Sequence, residues 1–90
     1  MNVNERWSVN LYLTEVESQT HAEARLNMPG GQGRLIGRGE ARRNPADQEV
    51  SLIGEQIAAA RALSDLAGQL LHTAALSIET VTHQRTQLYG

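Results

Sequence analysis

The residues able to do chemistry are few, and their spacing limits them further. There is no cysteine, which removes thiol nucleophiles, disulfides and thiolate metal sites. His72, Glu79 and His83 share one side of a helical stretch, since steps of seven and four keep one face. That side could present a metal, yet two histidines so far apart do not reach one ion, and three protein ligands are the usual minimum. Surface pairing is the favoured reading, and no metal is assigned. Asp47, near an arginine pair, could serve as a catalytic acid, but an Asp after Asn44-Pro45-Ala46 more often closes a turn through its own backbone. Gly30-Gly31-x-Gly33 is not followed by helix signals, so it reads as a hairpin turn and not a dinucleotide fingerprint. No nucleophile and base can be paired by spacing. The expectation is a non-enzyme with no catalytic residue and no cofactor.

The arginines are the more informative set. All eight basic residues are Arg, whose planar fork suits carboxylate or phosphate. Arg34, Arg38, Arg42 and Arg43 make residues 34–43 a positive island in a chain of formal charge −2. With Asn44 they could hold phosphate. The structural alternative is pairing across strands, such as Arg38 or Arg25 with Glu23 or Glu40, and a tie from Arg43 to Asp47; this is favoured. A net acidic chain also argues against a dedicated nucleic-acid clamp.

These side chains must be carried by a small frame. Ninety residues make one domain, taken as 1–90 with flexible ends at 1–6 and 83–90. There is no Phe, so the core gains from close approach more than from bulk. Trp7, Val9, Leu11 and Leu13 alternate with polar residues over 7–14, the mark of a half-buried strand. Residues 15–19 read as a polar connection. Ala22, Ala24, Leu26 and Met28 alternate over 20–28, and Leu35, Gly37, Gly39 and Ala41 over 34–43, with a Pro-Gly and Gly-Gly turn between. Three strands with short links predict an antiparallel meander.

After the turn at Pro45, Ser51 is a candidate N-cap. Apolar residues at Ile53, Ile57, Ala60, Ala67, Leu71, Ala74 and Ile78 predict one helix of about 30 residues from Leu52 to near Val81. The low strand face of Ala22, Ala24, Gly37 and Gly39 invites that helix close. Gly68 is expected at a kink or a tight contact. The helix outruns the sheet, and its arc also takes in Leu52, Ala59, Leu63, Leu66 and Leu70. The surplus predicts a homodimer paired along Leu63, Leu66, Leu70, Leu71 and Ile78. The fold class is therefore α+β: a three-stranded antiparallel β-meander with one long C-terminal helix on one face.

Several runs match a known pattern: Trp7 opening a strand; Thr20-x-Ala22-x-Ala24-x-Leu26; Gly37-x-Gly39-x-Ala41-Arg42-Arg43-Asn44-Pro45-x-Asp47; and Ile53-Gly54-Glu55-x-Ile57-Ala58-x-Ala60-Arg61-Ala62-Leu63. Together they resemble an actinobacterial family of short proteins of unknown function with a fold like the double-stranded-RNA-binding domain. The resemblance implies a β-β-β-α domain and no activity. RNA-binding modules of that fold use a first helix and a basic start to the last one. Here nothing before Trp7 leaves room for the first, and Glu49 and Glu55 flank the second.

The expected function is a small interaction domain. It would associate with itself and meet a protein partner through Arg38, Arg42, Arg43, Tyr12, Arg25 and Ile36. Weak nucleic-acid binding through Arg34 to Arg43 is the alternative. No apolar run approaches the ~20 residues that cross a bilayer, and the first six residues lack a leader pattern, so the expected location is the cytoplasm.

Overall fold

A computed structural model describes residues 4–31, 33–42 and 51–82. Three antiparallel strands, β1 (Val9–Val16), β2 (Gln19–Met28) and β3 (Gly33–Arg42), form one sheet in the order β1-β2-β3, followed by the helix α1 (Ser51–Thr82). The meander and the single long helix are as the periodicity predicts.

The strand faces also fall where alternation puts them. Leu11 lies opposite Ala24 and Leu13 opposite Ala22, while Ala24 faces Gly37 and Ala22 faces Gly39. The first strand differs in its limits. It starts two residues later than expected and runs through 15–16, so the connection shrinks to Glu17 and Ser18. The apolar alternation ends at Leu13, since Glu15 takes the inner parity and Val16 the outer, while the backbone pairing continues to Val16 opposite Gln19. Glu17 takes a left-handed φ of 57° to close the hairpin, a conformation that glycine or asparagine adopts at less cost. The second turn, Pro29–Gly31, is glycine-built, with φ of 70° and 71° at Gly30 and Gly31.

The helix lies closely on the sheet, and this corrects the expected helix face. Ala58, Ala62 and Leu66 are buried against Ala22, Ala24, Leu26 and Ala41, with Met28, Leu35 and Leu70 packed at the margin. A Cβ on Gly37 would collide with the Ala62 carbonyl oxygen and come within 2.6 Å of the Leu66 nitrogen; one on Gly39 would meet Ala58 and Ala62 backbone atoms. The helix backbone thus rests on bare strand backbone. Such an approach needs small residues on both sides, and Gly54, Ala58 and Ala62 supply them at steps of four. Ile53, Ile57, Leu71 and Ile78, the bulkier stripe, stand exposed instead. Gly68 is neither kink nor tight contact: α1 runs unbroken through it, and nothing lies within 4 Å of where its Cβ would be.

Contact of α1 is with β2 and β3 far more than with β1. Ala22, Ala24 and Leu26 on β2 are at most 2% exposed, whereas Val9, Leu11 and Leu13 on the same sheet face are 40–41% exposed. The helix roofs two strands of three.

Candidate functional site

One edge of the sheet is closed by the helix itself. Arg61 donates from Nη1 to the Glu40 carbonyl at 2.7 Å, the Arg38 backbone N–H donates to Asp65 Oδ2 at 2.9 Å, and Gln69 Nε2 donates to the Ile36 carbonyl at 2.7 Å. Gln69 also holds Asp65 at 3.2 Å. Steps of four along α1 meet steps of two along β3, because one helical turn rises about 5.4 Å and two strand residues about 6.8 Å. Unpaired strand edges invite pairing with other chains, and here β3 is occupied. The spacing Arg61-x-x-x-Asp65-x-x-x-Gln69 was the available signal; in sequence it resembles any solvated helix face.

The outer sheet face carries the residues expected to meet a partner. Tyr12, Glu23 and Arg38 form one row across the strands, and Asn10, Arg25 and Ile36 the next. Glu23 sits at the centre. Its Oε1 accepts from Arg25 Nε at 3.0 Å and Nη2 at 2.7 Å, and its Oε2 lies 3.5 Å from Arg38 Nε. The Arg25 guanidinium lies 4.2 Å from the Tyr12 ring centroid, a cation–π distance. The Arg25 hydrogen bond holds the Glu23 carboxyl below its ordinary range against a smaller opposing desolvation, and Glu23 in turn raises Arg25. Nearby, His21 Nδ1 is 3.4 Å from Glu40, and Arg34 donates to Asn27 Oδ1 at 3.3 Å. Tyr12, Arg25, Ile36 and Arg38 are therefore brought together. Arg42 is exposed at the far end of β3. Arg43, the turn expected over Asn44–Asp47 and His83 lie outside the described residues.

The residues expected to self-associate divide. Leu63, Leu71 and Ile78 are 41%, 73% and 41% exposed. Leu66 is corrected: at 3% exposed it fills the chain's own core over Gly37, and Leu70 is half-buried at the core margin. Bulk alone marks both as surplus, but the glycine floor of β3 brings this side of the helix down onto the sheet.

An open groove of about 690 Å³ follows the β3 flank of α1, lined by residues including Leu35, Arg61, Asp65, Gly68, Gln69 and His72. It is a shallow furrow beside the edge-closing side chains. Among the described residues no three His, Asp or Glu side chains gather around a common point, and no helix is long and apolar enough to cross a membrane.

Three antiparallel strands and a helix seated on two of them define a small α+β domain of β-β-β-α order. Residues 5–87 match the Rv2632c-like family, and the chain belongs to that family. It is 42% identical to the uncharacterised protein Mb1767 of Mycobacterium bovis over 97% of this chain and 90% of that one. It is also 42% identical to the uncharacterised protein Rv2632c of Mycobacterium tuberculosis over 92% of this chain and 87% of that one. The crystal structure of Rv2632c superposes with a TM-score of 0.82 at 41% identity, covering 92% of this chain and 96% of that one. The resemblance seen in the sequence was thus to the right family of short proteins of unknown function.

Proposed function

We propose that this chain is a small non-enzymatic interaction domain of the cytoplasm that associates with a second copy of itself and offers its outer sheet face to a protein partner. The observation that carries the reading is the apolar surface left on the helix side. Val9, Leu11 and Leu13 lie uncovered beside the core, and Ile53, Ile57, Leu63, Leu71 and Ile78 stand out from α1. Apolar surface this continuous is a mark of an interaction site. The outer face, with the Tyr12–Arg25–Glu23–Arg38 cluster, is left for a partner bearing carboxylates or an aromatic side chain. Light scattering across a range of protein concentrations tests the self-association. A mass that stays at 9.9 kDa throughout overturns it.

Nucleic-acid binding is a second reading, favoured by the exposed arginines Arg34, Arg38 and Arg42 on β3. It is the weaker one, because Glu23 already engages Arg38. Phosphate-driven binding weakens steeply with salt, so a salt titration against duplex RNA and DNA separates the two.

A further inference from the structure

The helix carries a second seam that its own sheet does not use. Ile53, Ala60, Ala67, Ala74 and Val81 recur at every seventh residue, and Leu63 and Leu70 fall three after Ala60 and Ala67. This alternation of three and four is the repeat of paired helices. The two remaining positions, Gln56 and Ser77, are uncharged, and the Ser77 hydroxyl is turned to its own helix, donating to the Thr73 carbonyl at 3.0 Å. Glu55, Arg61, Asp65, His72 and Glu79, all the described charged or titratable residues of α1, lie off the seam.

The fold fixes where the seam points. Arg61, Asp65 and Gln69 mark the β3 flank of α1. Leu63 is two residues from Arg61, about 200° around the helix, and so lies on the opposite flank, above the uncovered face of β1. Next to the seam, on the side away from the sheet, stand Ile57, Leu71 and Ile78.

Resting on the self-association proposed above, we infer that the occupant is the helix of a second copy, lying parallel and in register along this seam, with the two-fold axis running along the helices. Paired helices sit about 8–10 Å apart, and strands about 4.8 Å apart. A helix seated over β2 and β3 therefore has its neighbour directly above β1. The two-fold puts the sheets on opposite sides of the helix pair. Each partner helix then lays its outer side, Ile57 and Leu71 included, on the other copy's Val9, Leu11 and Leu13. An antiparallel pair at the same spacing would instead place both sheets on one side and force each β1 strand into the space of the other copy's β2. The area is of the right order. Stable interfaces bury roughly 600–1,000 Å² per partner, and a seam along a helix about 48 Å long and about 10 Å wide supplies roughly 500 Å² before the β1 face is added. The exposed apolar residues of the seam and of β1 are used, and the closed β3 edge and the charged flank remain outside.

Because the chain has no cysteine, single cysteines report the geometry. Ser77→Cys lies beside its own counterpart in the parallel pair, within reach of a disulfide. Gly68→Cys, on the charged flank, does not. The expected result is a doubled mass by light scattering, with oxidation linking Ser77→Cys and leaving Gly68→Cys unlinked. A doubled mass in which Ser77→Cys fails to link overturns the parallel seam and leaves self-association standing. A mass of one chain at every concentration overturns both. Ala67→Glu, at an exposed seam position outside the chain's own core, is expected to return the mass to one chain with the helical circular-dichroism signal unchanged; a pair that survives it also overturns the seam.

Discussion

Asp65 on the helix accepts a hydrogen bond at 2.9 Å from the backbone N–H of Arg38 on the sheet edge. A side chain thus takes the place that a neighbouring strand would occupy. Removing it by Asp65→Ala leaves the Arg38 N–H to water and releases Gln69 from one of its partners. A hydrogen bond to a charged group contributes roughly 1.5–3 kcal/mol when shielded and less when exposed, so the expected loss is about 1 kcal/mol. Asp65→Asn keeps an acceptor and should lose less. Urea denaturation checks both, and equal losses would show that the edge bond is not the cause.

The glycines of β3 make a stronger demand. Alanine at Gly37 or Gly39 drives a methyl group into helix backbone atoms, which cannot rotate away as a side chain would. Each substitution should lift α1 from the sheet and cost at least about 1–3 kcal/mol, the usual penalty of overpacking. The thermal midpoint of Gly39→Ala measures this. An unchanged midpoint would mean that the helix does not rest on the sheet at that point.

Gly68 contrasts with these two. It lies mid-helix with open space where a side chain would project, so nothing repays its flexibility. Gly68→Ala should stabilise the protein by up to about 1 kcal/mol through helix propensity. A thermal melt decides the sign.

The contrast among the glycines shows what was legible in the sequence. Strand parity survives translation into structure because period-two alternation is unambiguous once a turn is placed: Leu11, Ala24 and Gly37 do share one face. The helix face was not legible by bulk. Two stripes were available, and the larger residues at Ile53, Ile57, Leu71 and Ile78 suggested the wrong one. What decides the matter is the height of the strand floor. Gly37 and Gly39 admit backbone to backbone contact, so Ala58 and Ala62 go under and the isoleucines stay out. The outer cluster was half visible: pairing of Arg25 and Arg38 with glutamate across strands was expected, but Arg25 meets Glu23 two residues along its own strand, and only the Arg38 contact with Glu23 depends on register. The edge closure by Arg61, Asp65 and Gln69 was not visible at all. Polar residues at helical spacing look alike whether they face water or a strand edge.

Glu23 makes the acid response predictable in sign. Its carboxyl is held below its ordinary value of 4.5 by the Arg25 hydrogen bond and by the charges of Arg25 and Arg38. A carboxylate whose folded pKa is depressed contributes stability above its unfolded pKa and loses that contribution as pH falls through the folded value. The stability difference between the native chain and Glu23→Gln should be largest near neutrality and shrink below about pH 4.5. Urea midpoints from pH 7 to pH 3 test it. A difference that does not change with pH would remove the pairing as its source.

Leu66 and Leu71 separate the core from the proposed interface. They are five residues apart on one helix, yet Leu66 is 3% exposed and Leu71 is 73% exposed. Leu66→Ala empties space between α1 and the sheet and should cost roughly 2–5 kcal/mol, the range for truncating a buried leucine. That loss should appear at any protein concentration, because the contacts it removes lie within one chain. Leu71→Ala removes little that a single chain buries, so its effect at high dilution should stay within about 0.5 kcal/mol. If the exposed side of α1 covers a partner's β1, Leu71→Ala should destabilise the protein more as concentration rises, since association stabilises the folded state by mass action. Thermal midpoints of both variants and the native chain over a hundredfold range of concentration make the comparison. A Leu71→Ala difference that is flat across that range would place this side of the helix outside any pairing of copies. A Leu66→Ala difference that grows with concentration would move Leu66 from the core to the interface.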